Sequence, residues 1–309
     1  MLVVHKRILH ITSTTLVMCA LLSAVYFVGH ARDDVPLTFS VLGIGQGDSL
    51  LIQGPNDQQI LVDAGPDRSI LSKLGQYMPF YDHDIELVIL SHPHLDHYGG
   101  LHEVLNRYTV HRLYITGVVQ KSKDYKDLLD QAKAKGVQIE EVWRGKTVDI
   151  GADIHLSVLA PITSLHDVKV ADLNESSIVA KLSYKQSSFL LTGDATDKEE
   201  KSLMATNDDL SADVLKVAHH GSEYSTSNTW LEAVHPKVGV ISAGLHNKFG
   251  HPNERLLKRF EHHDVQLFRT DLDGDVIFKT DGDTIDVFTT STSQFSLPGI
   301  FPTPTYTIN

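Results

Sequence analysis

Ser91-His92-Pro93-His94-Leu95-Asp96-His97 is the stretch that decides how this chain is read. Three histidines and an aspartate fall within six residues. They follow the apolar run Ile85-Glu86-Leu87-Val88-Ile89-Leu90 and precede Gly99-Gly100. A short apolar run closed by turn residues reads as a buried strand. Side chains in a loop at the end of a strand can converge on one point, whereas a helix would spread them around its axis. Imidazole and carboxylate together suit zinc, manganese or iron.

Working outward, the same arrangement recurs. Ile60-Leu61-Val62 ends at Asp63, and Phe189-Leu190-Leu191-Thr192-Gly193 ends at Asp194. Leu215-Lys216-Val217-Ala218 runs into His219-His220-Gly221-Ser222. Alone, a strand-end aspartate beside glycine is usually a turn former. Four apolar strands, each delivering Asp or His at its carboxyl end, describe ligands along one rim of a sheet stack. Gly45-Gln46-Gly47-Asp48-Ser49 lacks the lysine of a phosphate-binding loop and joins two strands, so it reads as a hairpin turn.

The remaining pattern alternates short strands with helices. Strands are expected at 37–42, 49–53, 59–63, 85–90, 112–115, 137–143, 155–159, 177–184, 188–191, 214–217, 238–242 and 276–279. Helices are expected near 70–77, 101–107 and 122–135, the last stopped by Gly136. This order suits an α/β fold of two sheets packed face to face with helices outside. Residues 35–288 read as that domain, and the Ser/Thr/Pro-rich tail 289–309 as disordered.

The chain has 309 residues and a net charge of −12, so bulk electrostatics attract neither nucleic acid nor anionic lipid. That argues against a simple DNA-binding module but not against a nuclease, because bound cations supply local positive charge. A single cysteine, Cys19, excludes an internal disulfide framework and a Cys-based zinc finger. Residues 1–34 read as a membrane anchor or signal peptide. Lys6 and Arg7 precede an apolar run, Ile8 to Val28, and Gly29-His30-Ala31 offers a small-residue cleavage site. The length of the run favours an uncleaved single-pass anchor, with a cleaved signal and secretion as the alternative. Either places the basic end in the cytoplasm and the domain outside.

His92-Pro93-His94-Leu95-Asp96-His97 matches the HxHxDH signature of the metallo-β-lactamase superfamily, whose fold is an αββα sandwich. More narrowly, Gly45-Gln46-Gly47-Asp48-Ser49, Leu191-Thr192-Gly193-Asp194, Lys216-Val217-Ala218-His219-His220-Gly221-Ser222 and Phe249-Gly250-His251-Pro252 resemble the soluble domain of the ComEC family of competence DNA-uptake proteins. Arg269-Thr270-Asp271-Leu272-Asp273-Gly274 fits as well, and the resemblance runs in order from about residue 37 to 280. It does not extend to that family's multi-span channel, since one candidate membrane helix is present.

The resemblance implies a site for one or two divalent ions, zinc or manganese. His92 and His94 resemble ligands of the first metal, and Asp96 and His97 those of the second. Asp194 resembles the bridging carboxylate, and His219 or His220 the last ligand of the second metal. Asp63 resembles the aspartate that orients the loop through hydrogen bonds. One departure stands out. Where most members carry a further histidine for the first metal, this chain reads Asp172-Leu173-Asn174-Glu175-Ser176-Ser177. His155 and His166 lie elsewhere in the pattern, which leaves Asn174, an incomplete first metal, or one bound only with substrate.

Asp96, Asp63 and His251 are the candidate catalytic residues, with His251 as phosphate contact, proton donor or structural histidine. Ser222 and Ser225, with Ser227 nearby, are candidate phosphate donors or simply a serine-rich turn. The expected function is a metal-dependent phosphodiesterase or nuclease acting on nucleic acid or a small phosphodiester. The alternatives are hydrolysis of a C–N or C–O bond and a non-catalytic metal-stabilised binding protein. No protein partner can be inferred.

Overall fold

Strands buried on both faces need apolar residues at every position, not alternate ones. The runs around residues 60, 87, 190, 215 and 240 are of that kind, and each lies inside one of two sheets. A computed structural model describes residues 18, 36–54, 58–151, 153–291 and 304–308. The first sheet contains β1 (Leu37–Val41), β2 (Leu50–Gln53), β3 (Gln59–Val62), β4 (Asp84–Ile89), β5 (Thr109–Ile115) and β6 (Gln138–Glu141). The second is built from β7 (Thr147–Asp149), β8 (Ile154–Ala160), β9 (Val179–Tyr184), β10 (Ser187–Leu191), β11 (Val214–Lys216), β12 (Val238–Ile241) and β13 (Gln266–Arg269). The chain then returns to the first sheet through β14 (Val276–Thr280), β15 (Ile285–Thr289) and β16 (Tyr306–Ile308).

The sheet orders are β16-β15-β14-β1-β2-β3-β4-β5-β6 and β13-β12-β11-β10-β9-β8-β7. Between them lies one apolar layer centred on Phe39, Phe189 and Phe278, whose ring centroids are 5.0 to 6.0 Å apart. Outside the first sheet pack α1 (Ser69–Tyr77), α2 (Leu95–Tyr98), α3 (Leu101–Arg107) and α4 (Lys123–Ala134). Outside the second pack α5 (Asp197–Met204), α6 (Asn228–Val234) and α7 (Glu254–His262), and one turn, α8 (Thr270–Asp273), follows β13. The αββα order expected from the alternation is present.

Parallel pairing does the positioning. β3, β4, β5 and β6 are parallel neighbours, and so are β10, β11, β12 and β13. Their carboxyl ends therefore share a rim within each sheet, where open α/β sheets place ligands. Asp63 follows β3, Ser91 to His97 follow β4, Asp194 follows β10, and His219-His220 follow β11.

Some expectations change. Apart from residue 18, the predicted anchor or signal falls outside the described residues; among those described, no helix is long and apolar enough to cross a membrane. The tail 289–309 is not wholly irregular. Tyr306–Ile308 adds an edge strand, Ile308 opposite Ile285, and Thr289 closes β15. Asp96 and His97 sit in a one-turn helix and not in open loop. Gly45 to Ser49 is more than a hairpin turn. The Asp48 amide donates to the Asp96 carbonyl at 3.3 Å, and the Ser242 hydroxyl donates to the Gly47 carbonyl at 2.7 Å.

Gly47 has φ +133°, and a Cβ there would overlap the Asp96 carbonyl oxygen, whereas a Cβ on Gly45 (φ +87°) meets nothing within 4 Å. Both substitutions by alanine strain the backbone, but Gly47→Ala also overpacks against fixed main chain, adding about 1–3 kcal/mol. Urea unfolding of the two variants measures the gap, and equal losses would contradict the close approach.

Candidate metal centre

Asp194 is buried at the carboxyl end of β10, with its amide bonded to the Ser177 hydroxyl at 3.2 Å. Four imidazoles aim at one of its oxygens. From Asp194 Oδ2 the Nε2 atoms of His97, His220, His92 and His219 lie at 3.4, 3.5, 3.8 and 3.8 Å. Asp96 closes the group, its Oδ2 lying 3.3 Å from His220 Nε2 and 4.0 Å from His97 Nε2.

The imidazoles are oriented from behind. His97 Nδ1 meets Asp63 Oδ2 at 2.8 Å, and the same aspartate accepts the Ser91 amide at 2.8 Å and the Ser91 hydroxyl at 2.6 Å. His220 Nδ1 meets the Ser242 carbonyl at 3.0 Å. In both rings the outer nitrogen is thereby fixed, and Nε2 faces the cluster without a hydrogen-bond partner. Asp194 Oδ1 is likewise buried and unpartnered. Buried polar atoms are nearly always paired, so orphaned donors of ligand chemistry at one point fit a bound cation. An outer hydrogen bond that sets ring and tautomer is what metal-binding histidines carry. Asp63, His219 and His220 also have φ of +58°, +51° and +54°. Left-handed backbone costs non-glycine residues on the order of 1–3 kcal/mol each and gathers at functional sites.

The electrostatics agree. Burial, reinforced by His97, holds His92 well below the usual histidine range, leaving a neutral ligand. Burial opposes charge on His97 and His220 too. There Asp194 and Asp63 outweigh it at His97, as Asp194 and Asp48 do at His220, and both rings sit well above that range. Burial raises the Asp194 carboxyl, but His220 and His97 overcome this and keep it ionised.

The two expected metal positions are unequally built. Among the described residues, donor atoms lie within 4.8 Å of one another in four groups: His92-His97-Asp194, Asp96-His97-His220, Asp48-Asp63-His97 and Asp48-Asp194-His220. None includes His94, whose Nδ1 is 2.9 Å from His92 Nε2, and none includes His219. Of the histidine pair, His220 is therefore the better-placed ligand. His155 pairs with Asp149 and His166 with Glu141 on exposed surface, so neither supplies the missing histidine. Asn174 is buried with Oδ1 unpartnered.

Other expected residues take different places. Ser225 is buried, and its hydroxyl lies within bonding distance of the Ala218 and Ser222 carbonyls, while Ser222 Oγ accepts the Tyr224 amide. Both serines brace the loop, and the Ser225 proton is not free for a phosphate. The His251 ring centroid is 5.5 Å from that of His219 and 6.4 Å from that of His220. Burial and those two histidines push His251 down to about 4, so at neutral pH the resting ring is uncharged and does not serve as a charged acid.

Asp48 and Lys216 were not singled out from sequence. Lys216, fully buried in β11, places Nζ 2.7 Å from Asp48 Oδ2, and Asp48 Oδ1 lies 3.4 Å from His220 Nδ1. A lysine inside an otherwise apolar strand was the available signal.

The family model described as the metallo-beta-lactamase superfamily matches residues 42–245, and the chain belongs to that superfamily, with its metal-dependent hydrolase fold. Within it, the chain is 34% identical over 257 residues to ComE operon protein 3 of Bacillus subtilis, covering 77% of this chain and 32% of that one. Recombination protein 2 of Haemophilus influenzae is 29% identical over 240 residues (76% and 28%). Competence protein ComA of Neisseria gonorrhoeae is 28% identical over 267 residues (84% and 35%). The chain thus spans about a third of the length of these curated relatives. Among solved structures, the Streptomyces venezuelae diiron β-hydroxylase CmlA has TM-score 0.53 at 13% identity, covering 80% of this chain and 54% of that one. The metallo-beta-lactamase fold protein YhfI of Bacillus subtilis has TM-score 0.50 at 15% identity, covering 76% and 96%. At these identities the likeness is one of fold.

Two predictions follow from the geometry. Lys216→Met takes the nearest cation from the buried Asp48 carboxylate, leaving only His220 beside it, and should cost up to about 3–5 kcal/mol in denaturant unfolding. Adding Asp48→Asn should restore much of that loss; additive losses would show that the two are not coupled. Because His97 and His220 carry protons in the metal-free protein, a cation must displace them. Affinity for Mn²⁺ or Zn²⁺ should therefore rise from about pH 6 to 8. Calorimetry in buffers of different ionisation enthalpy reads the released protons, and binding without release would reject these two rings as ligands.

Proposed function

We propose that this protein is a phosphodiesterase acting on nucleic acid, with a divalent ion, manganese or zinc, held by Asp96, His97, His220 and Asp194. The convergence of partnerless imidazole nitrogens on Asp194 Oδ2 carries the reading. A divalent cation there supplies Lewis acidity and lowers the pKa of water, as hydrolysis at phosphorus requires. The side chains do the rest. Asp63 and the Ser242 carbonyl hold two rings in one tautomer, and Asp194 stays ionised between them. His251, neutral at rest and beside His219, can donate a ring N–H to a phosphate oxygen. Support for the substrate class comes from relatives named for competence and recombination, processes that handle DNA.

One observation favours a second reading, a metal-stabilised binding protein without turnover. His94 is engaged with His92, and among the described residues no third histidine completes the first position.

The full chain loaded with Mn²⁺ or Zn²⁺ should hydrolyse labelled single-stranded DNA and bis-p-nitrophenyl phosphate, but not the lactam nitrocefin. Asp194→Ala should lower the rate more than about 100-fold, beyond the loss typical for an outer hydrogen-bond partner, with the circular dichroism unchanged. Nitrocefin cleavage alone would reject a phosphodiesterase. Bound metal with no turnover of any substrate would leave the binding role.

A further inference from the structure

A metal centre recognises phosphate, which every nucleic acid and many small esters share, so selectivity has to come from groups beside it. On this rim the loop from Gly244 to Gly250 leads outward from the histidines. Phe249 is 57% exposed, so one face of its ring is open to a ligand. Its ring lies within 24° of parallel to that of His251, with centroids 6.0 Å apart. His251 in turn stands beside His219, whose Nε2 is 3.8 Å from Asp194 Oδ2. The Lys248 ammonium lies 5.1 Å from the centroid of the Phe249 ring.

The backbone that carries the ring is braced. Asn247 Oδ1 accepts the amides of Phe249 and His251, both at 3.1 Å, and its Nδ2 donates to the Gly244 carbonyl at 2.9 Å and to the His251 carbonyl. Gly244 is tied by its amide to Gln46 Oε1 at 3.2 Å, which fixes the loop to the segment containing Asp48. An exposed aromatic on a braced loop, with a flexible cation beside it, makes a stacking platform next to a phosphate site.

We propose that Phe249 stacks a nucleobase next to the scissile phosphodiester, with Lys248 contacting a neighbouring phosphate, so that the substrate is single-stranded nucleic acid. The base takes over the ring contact that Lys248 makes and releases the ammonium to the backbone. A duplex cannot supply that base without unstacking it, which costs a few kcal/mol, whereas a single strand offers it freely. The inference rests on the phosphodiesterase reading for the identity of the site but is tested by binding, which needs no turnover.

Binding of the full Mn²⁺-loaded chain is followed by fluorescence anisotropy with two labelled ligands. One is an octathymidylate and the other an abasic deoxyribose phosphate octamer of the same charge, both with phosphorothioate linkages to slow cleavage. The unaltered protein should prefer the thymidylate by about tenfold or more, since one stacked base contributes roughly 1–3 kcal/mol. Phe249→Ala should reduce the preference to near unity and Phe249→Trp should keep it, a contrast that loss of fold would not produce. Lys248→Ala should weaken both ligands alike and flatten the slope of log K against log salt by about 0.7. No preference in the unaltered protein, or one that survives Phe249→Ala, overturns the proposal. A Phe249-dependent preference in a protein that hydrolyses no phosphodiester would leave the stacking subsite standing and remove the catalytic reading.

Discussion

One buried carboxylate oxygen governs the design of this rim. Asp194 Oδ2 has four imidazole nitrogens within 3.8 Å and belongs to a side chain buried from bulk solvent. Such a group is unstable unless something supplies positive charge, and in the metal-free protein His97 and His220 do so by holding protons. The surrounding structure keeps those rings from turning away to satisfy themselves. Asp63 and the Ser242 carbonyl bind their outer nitrogens, and left-handed backbone at Asp63, His219 and His220 fixes where they start. A second buried pair, Asp48 with Lys216, backs His220 and ties the β1–β2 loop to β11 across the two sheets. Removing the lysine would strand a carboxylate; removing the pair would loosen the loop against which the Asp96 turn rests.

What could be read from the sequence follows the same physics. Apolar runs ending in Asp63, His92, Asp194 and His219 declared themselves because a parallel strand buried on both faces is continuous in sequence and ends sharply. The groups behind the ligands left weaker traces. Ser242 acts through its backbone carbonyl, which has no sequence signature at all, and Asp48 is 168 positions away from the lysine that pairs with it. Gly45 to Ser49 looked like a turn because it is one; that it also packs under Asp96 depends on the strand order β1-β2-β3-β4, which brings both loops to one rim. Short edge elements were the hardest to see. Gln266–Arg269 has one fully buried apolar residue, and Tyr306–Ile308 lies in a tail whose composition favours disorder. Pairing with a preformed neighbour supplies what their own residues lack.

The sequence also indicated the asymmetry between the two metal positions, and the geometry gives it a cause. Asp96, His97 and His220 come from two different sheets and meet at Asp194, the two rings with their Nδ1 atoms already engaged. His92 and His94 are two residues apart on one strand-end and point at each other at 2.9 Å. Among the described residues no cluster of metal-binding side chains takes in His94, and the stretch after Asp172 carries Asn174 and no histidine. The better-supplied position is thus the one whose ligands are held from both sheets.

Net charge then bears on how such a protein would hold a polyanion. With a formal charge of −12, long-range attraction is absent, and phosphate contacts weaken further as salt rises. Stacking on an aromatic ring does not depend on charge and discriminates between a strand with accessible bases and one without. An acidic surface and an exposed Phe249 beside the histidines are therefore consistent with each other. The surface repels duplex at a distance, while the rim offers a single strand a contact that the repulsion does not weaken. Affinity at such a site would be local, confined to the few nucleotides that reach the metal centre and the ring together.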